Sequence, residues 1–155
     1  MNNIAIIDYG AGNLQSVENS LKYFNLDYTV TNNPKEISNS SGIILPGVGA
    51  FGSAMKKLND LNLVKVLTNE VVKNKKPFFG ICLGLQLLFE TSDESEGFKG
   101  FGWLNGDIKT ISYTSKLPHV GWNNLENIDP TSKLFNGVAS KADFYFDHSF
   151  HVVCA

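Results

Sequence analysis

Cysteine is scarce in this chain. Its 155 residues hold only Cys82 and Cys154, so no disulfide framework is implied, and no C-x-x-C or comparable Cys/His spacing marks a metal site. Such usage fits a reducing compartment. A surplus of positive charge is also missing. Against 15 acidic residues stand 13 basic ones, and the lysines are spread out apart from Lys73, Lys75 and Lys76, which excludes the basic surface that a nucleic-acid partner requires. No apolar run is long enough to cross a bilayer, and the chain enters a strand-like run straight after Asn3, without the basic segment and apolar core of a secretory signal. Repeats and low-complexity tracts are absent. The expectation is a soluble, cytoplasmic protein with no membrane or nucleic-acid partner, no metal and no cofactor, folded as one domain over residues 1–155.

What is present alternates. Ile4-Ala5-Ile6-Ile7-Asp8 is a buried-strand run, and Asn13 is placed to cap a helix in which Leu14, Val17, Leu21 and Phe24 recur at helical spacing. Tyr28 to Thr31 reads as a strand, Asn32-Asn33-Pro34 as a turn, and Gly42-Ile43-Ile44-Leu45 as a second buried strand stopped by Pro46. Helical patterns cover Phe51 to Leu58 and Val64 to Val72, and Phe78 to Ile81 is a further apolar strand. A helix is expected to follow through Glu90. Strands alternating with helices call for an α/β, doubly wound, mostly parallel sheet. Beyond Glu90 the chain turns acidic and glycine-rich, with short β-like pieces at Asp107 to Ser112 and Asp143 to Phe146. Ligands in such sheets gather beyond the carboxyl ends of the strands, so Asp8-Tyr9-Gly10, Pro46-Gly47-Val48-Gly49 and Cys82 are expected to meet at one site.

Gly80-Ile81-Cys82-Leu83-Gly84 is the most informative stretch. A cysteine between two glycines where a strand turns into a helix has the pattern of a nucleophile elbow: the glycines remove Cβ atoms that would clash, and the side chain stands exposed at the helix N-terminus. Partial positive charge there favours an anionic sulfur. The loop Pro46-Gly47-Val48-Gly49-Ala50-Phe51-Gly52 lacks G-x-x-x-x-G-K-[ST] and is not a nucleotide phosphate loop. Beside a nucleophile it reads as an oxyanion hole, with N–H groups from Gly47, Val48 and Gly49 joined by that of Leu83.

These motifs, with Asp8-Tyr9-Gly10-Ala11-Gly12-Asn13, Pro118-His119-Val120-Gly121-Trp122-Asn123 and Tyr145-Phe146-Asp147-His148-Ser149, resemble the class I (triad) glutamine amidotransferases over essentially the whole chain. Within that family the chain is similar to the glutaminase subunits that feed a (β/α)8-barrel cyclase in histidine biosynthesis. The resemblance implies a flavodoxin-like fold and hydrolysis of L-glutamine through a cysteine thioester. It further implies Cys82 as nucleophile, Gln86 with His148, Ser149 and Phe150 as the glutamine-binding surface, and Tyr9, Gly10, Asn13, Pro118, His119, Trp122 and Asn123 as the partner interface. A sister branch supplies ammonia to a sugar-modifying partner in surface polysaccharide synthesis, and both branches share these motifs.

In the family a His-Pro-Glu segment near the C-terminus supplies the general base and the carboxylate that orients it. The 155 residues contain no such segment, so the expectation is a C-terminally incomplete domain, with an exposed strand edge or apolar patch and weak glutaminase activity alone. A non-catalytic binding module that keeps the docking surface is the reading from a different class. His119 reads as a turn or interface residue, and His148 and His151 as weak substitutes for the base. Asp93, Glu94 and Glu96 read as a solvated loop, Trp103 and Trp122 as packing or rim aromatics, and Cys154 as incidental.

Overall fold

The computed structural model describes residues 3–112, 116–126, 128–129, 131–139 and 141–155. It divides into two compact units, Met1–Lys109 with Val152–Ala155, and Thr110–His151.

The first unit is built on β1 (Asn3–Ile7), β2 (Asp27–Thr31), β3 (Gly42–Gly47) and β4 (Phe78–Cys82), all parallel and ordered β2-β1-β3-β4. This is the flavodoxin-like order of a doubly wound sheet. Helices α1 (Leu14–Tyr23), α2 (Pro34–Asn39), α3 (Phe51–Asp60), α4 (Leu63–Thr68) and α5 (Leu83–Gln86) make the crossovers and the final elbow, α4 continuing as a π-helical turn over Asn69–Lys73. Asn13 Oδ1 accepts from the Ser16 N–H at the start of α1, as its position in the sequence requires. Asn33 does the same for Lys35 at α2, where Pro34 occupies the first turn. The Asn32-Asn33-Pro34 turn is therefore also a helix start.

β3 is not stopped at Pro46. It runs to Gly47, because its register with β1 ends at Ile44, so the missing proline N–H interrupts no ladder on that side. Ile6, Ile7, Ile43 and Leu45 from the sheet and Phe51, Met55, Leu58, Leu63 and Leu67 from the helices are all buried. Each such side chain contributes roughly 1.5–3 kcal/mol by leaving water. β4 is an edge strand of this sheet. Its Phe79 is half exposed and, with Ile4, Ile43, Ile44, Pro77 and Phe78, lines an open apolar groove of about 250 Å³.

A helix through Glu90 does not form. α5 ends at Gln86, and Leu87, Leu88 and Phe89 are all buried, which three consecutive residues cannot be on one face of a helix. Their carbonyls turn instead to another segment: Leu87 accepts from the Phe101 N–H, Leu88 from Trp103 and Leu104, and Phe89 from Gly102. Tertiary pairing overrides local propensity here. Trp103 packs as expected, stacked on Phe101 and donating its indole N–H to Thr68 Oγ1. A second sheet has the order β5-β6-β9, from β5 (Thr91–Ser92), β6 (Gly106–Thr110) and β9 (Phe150–Cys154).

The second unit contains an antiparallel ribbon of β7 (His119–Asn124) and β8 (Asp143–His148), in register from His119↔His148 to Asn124↔Asp143.

One charge cluster sits inside the first unit. Lys76 Nζ donates to the carbonyls of Ile37 and Ser38 and lies 3.2 Å from Glu70 Oε2, both side chains being buried. Ser38 Oγ and Asn74 Nδ2 also donate to the Glu70 carboxylate. Burial pushes the Glu70 carboxyl up, but the hydrogen bonds from Asn74, Ser38 and Lys76 outweigh it and hold the group below its ordinary value. A carboxyl lowered in the folded state stabilises above its unfolded value of about 4.3, and this is lost as pH falls through the folded value. Denaturant midpoints measured against pH are expected to separate the parent chain from Glu70→Gln at neutral pH and to converge below about pH 4. Lys76→Met, which leaves the buried carboxylate unpaired, is expected to cost about 3 kcal/mol at neutral pH.

Candidate active site

Strand order reverses between β1 and β3, which opens a crevice beyond their carboxyl ends. The loops there are Asp8 to Asn13, following β1, and Gly47 to Ala50, following β3. Beside them Cys82 ends β4, in register with Gly47.

Cys82 is exposed and has φ 52°, ψ −113°, a conformation that non-glycine residues rarely adopt. Strain of this kind costs about 1–3 kcal/mol and persists only where the surroundings impose it. They do so through close backbone approach. A Cβ on Gly84 would lie 1.9 Å from the Leu45 carbonyl oxygen, and one on Gly80 would lie 2.6 Å from the Gly84 oxygen. The two glycines that flank the cysteine are therefore required by contact.

Gly47 faces the same constraint from the other strand. A Cβ there would lie 2.8 Å from Gly84 N, 2.9 Å from Leu83 Cβ and 2.9 Å from the Tyr9 hydroxyl. Val48 and Gly49 stand exposed beyond it, Gly49 with φ 94° and open space around it. The loop, Cys82 and Leu83 thus occupy one corner of the first unit.

Helix α3 starts directly after this loop. Its N-cap, Ala50, has no side-chain oxygen, and the first free N–H groups are satisfied from far along the chain: Phe51 N–H donates to Glu94 Oε2 at 2.7 Å and Gly52 N–H to Ser95 Oγ at 3.0 Å. The Phe98 ring closes over Gly52, within 2.7 Å of where a Cβ would be. Glu94 is thus a capping group and not part of a solvated loop. The sequence signal was a helix start with alanine where an oxygen belongs.

The Asp8 to Asn13 segment is held by its own contacts. Asp8 Oδ1 accepts from Gly10 N–H, Lys57 Nζ donates to the Gly10 carbonyl, and Gly10 and Gly12 take φ 76° and 105°. These residues shape the loop that leads to the Asn13 cap. Gly10 and Asn13 are exposed. Tyr9, expected at the interface, is 2% exposed with its phenol in the interior, so its side chain is not part of the surface. Gln86 is half buried in α5.

In the second unit the ribbon sorts residues by the period-two rule. Val120, Trp122 and Tyr145 are exposed, with Trp122 and Tyr145 paired edge to face at 5.5 Å. His119 lies on the other face, stacked on Phe146 and 3.1 Å from His148 Nε2 through its Nδ1. Trp122 and His119, expected in one interface, therefore present their side chains on opposite faces of the ribbon. Pro118, preceded by a cis peptide bond, and Asn123 are exposed. His148 Nδ1 lies 2.9 Å from the Phe150 carbonyl, which only accepts, so Nδ1 carries the hydrogen. In the neutral pair His148 Nε2 then accepts from the His119 Nδ1–H. Both ring nitrogens of His148 are occupied. Ser149 accepts at its carbonyl from Ile111 N–H, and Phe150 is half buried. Among the described residues no group of three or more His, Cys, Asp or Glu is placed to hold a metal, and no helix is long and apolar enough to cross a membrane.

Fold and elbow together define a doubly wound α/β domain that presents an exposed cysteine at a strand-to-helix turn. The chain belongs to the class-I glutamine amidotransferases, whose family profile matches residues 5–154. Imidazole glycerol phosphate synthase subunit HisH of Bacillus cereus (strain B4264) is 49% identical over 151 residues, which cover 97% of this chain and 71% of that protein. The subunit of the same name from Bacillus thuringiensis (strain Al Hakam) is 47% identical with the same coverage. Among solved structures, a glutamine amidotransferase from Thermotoga maritima has a TM-score of 0.65 at 19% identity, covering 98% of this chain and 62% of that one, a likeness of fold.

The strain at Cys82 has a measurable sign. Glycine accepts this backbone conformation and alanine does not, so Cys82→Gly is expected to be more stable than Cys82→Ala by about 1 kcal/mol in chemical denaturation. Equal stability, or alanine above glycine, would contradict the elbow geometry.

Proposed function

We propose that this chain is the glutaminase subunit of an imidazole glycerol phosphate synthase, acting in the cytoplasm with a (β/α)8-barrel cyclase in histidine biosynthesis. Cys82 attacks the side-chain amide carbon of L-glutamine, the C–S bond forms, and the carbonyl oxygen becomes an oxyanion. Collapse breaks the C–N bond, releases ammonia to the partner and leaves a γ-glutamyl thioester that water hydrolyses to glutamate. N–H groups of the Gly47 to Gly49 loop and of Leu83 are the proposed donors to the oxyanion. Gln86, His148, Ser149 and Phe150 are proposed to hold the substrate, and Gly10, Asn13, Pro118, Trp122 and Asn123 to face the cyclase.

The observation that carries this reading is the exposed, positive-φ Cys82 in register with Gly47. It gives an attacking sulfur and, one residue on, a backbone donor, which is the minimum that thioester chemistry needs. The leaving nitrogen departs as ammonia by taking up a proton, which a general base–acid group relays from the thiol.

The test is ammonia release from glutamine by the chain together with the cyclase, with Cys82→Ala as control. Turnover is expected in the parent complex and is expected to fall by more than about a thousandfold in the variant. Turnover that survives the substitution contradicts the reading, and a bound partner without turnover favours a non-catalytic docking module.

A further inference from the structure

Tyr9 holds a polar atom that the chemistry described so far does not use. Its side chain is buried, and its hydroxyl oxygen is a fully buried side-chain polar atom without a hydrogen-bond partner among the described residues. Burial pushes the phenol up to about 12, so the group stays a neutral O–H donor across the physiological range. An orphaned buried hydroxyl is costly, and a protein keeps one only where something offsets it.

Its position says what that is. The hydroxyl lies 2.9 Å from the point where a Cβ on Gly47 would stand, and the Leu83 Cβ lies 2.9 Å from the same point. It thus lies against Gly47, whose carbonyl shares a peptide with the Val48 N–H. In a trans peptide the N–H and the C=O point in opposite directions. A Val48 N–H turned outward to an oxyanion at Cys82 therefore turns the Gly47 carbonyl inward, toward the buried phenol. Such a rotation offers the hydroxyl the kind of acceptor it lacks.

We propose that Tyr9 is a positioning residue for acyl transfer: its buried hydroxyl donates to the inward-facing Gly47 carbonyl when the Val48 N–H faces the oxyanion, and so holds the loop in its donor orientation. This rests on the glutaminase reading above. In this role Tyr9 acts through the loop and not on the substrate. Gly47 leaves the space for the contact, and Gly49, at φ 94° with nothing near it, lets the exposed side of the loop follow.

The experiment compares the full chain with Tyr9→Phe by two labels on Cys82. A chloroketone analogue of glutamine passes through a tetrahedral oxyanion, whereas iodoacetamide alkylates the thiol without one. In Tyr9→Phe the maximal rate of chloroketone labelling is expected to fall at least about tenfold at unchanged half-saturating concentration. The iodoacetamide rate is expected to stay the same, and the melting temperature is not expected to fall. Unchanged chloroketone labelling would overturn the proposal. So would an equal slowing of both labels, or slowing accompanied by a lower melting temperature, because either marks a packing role. Chloroketone labelling of the parent that persists in Cys82→Ala contradicts the glutaminase reading itself, and the positioning role falls with it.

Discussion

Close approach of backbone to backbone at Gly84 is the constraint on which the rest of the site depends. The elbow helix begins so near the neighbouring strand that an added Cβ would sit 1.9 Å from the Leu45 carbonyl oxygen. No side chain can relieve that contact, because both partners are main chain. The turn must then be made within the residues before Gly84, and Cys82 takes the strained conformation. Gly80 and Gly47 are held to glycine by the same convergence, one from β4 and one from β3. What reads in the sequence as a motif is the packing requirement of two parallel strands and a helix start at van der Waals distance.

A second set of contacts fixes the loop opposite the cysteine. Helix α3 has no capping side chain of its own, and Glu94 and Ser95 supply the missing acceptors from a segment more than forty positions away in the chain. Such a cap ties the loop after β3 to the turn after β5, so the proposed oxyanion donors are held at both ends. Tyr9 supports the same loop from beneath. The site is therefore built on backbone whose orientation is set by the sheet, as acyl-transfer chemistry requires of donors that must be in place before charge develops.

Much of this was legible in the sequence. The parallel strands at Ile4, Tyr28, Gly42 and Phe78, the Asn13 cap and the Cys82 elbow follow from local pattern, since each depends on residues close together in the chain. What the pattern missed depends on distant partners. Leu87 to Phe89 carry helix-forming side chains, yet their carbonyls pair with residues 101–104. Glu94 looks solvated until the bare N-terminus of α3 is placed against it. Tyr9 belongs to a motif that reads as a docking surface, and only the fold shows that its ring points inward. Strand β7 is masked by Gly121 and by the polar Asn123 and Asn124, and the His119–His148 pair depends on the register of β7 with β8. The helix at Pro34 has the sequence of a turn because the same residues that make turns also begin helices.

The central claim is that Cys82, presented by the glycine elbow, becomes acylated by glutamine. Mass spectrometry of the chain mixed with glutamine and the barrel cyclase, quenched in acid and digested, tests it directly. The account predicts a γ-glutamyl adduct on the peptide that contains Cys82, and none on that peptide from a folded Gly84→Ala chain. A γ-glutamyl group on Cys154 or elsewhere, no adduct at all, or equal acylation of Cys82 when Gly84 is replaced, would contradict it.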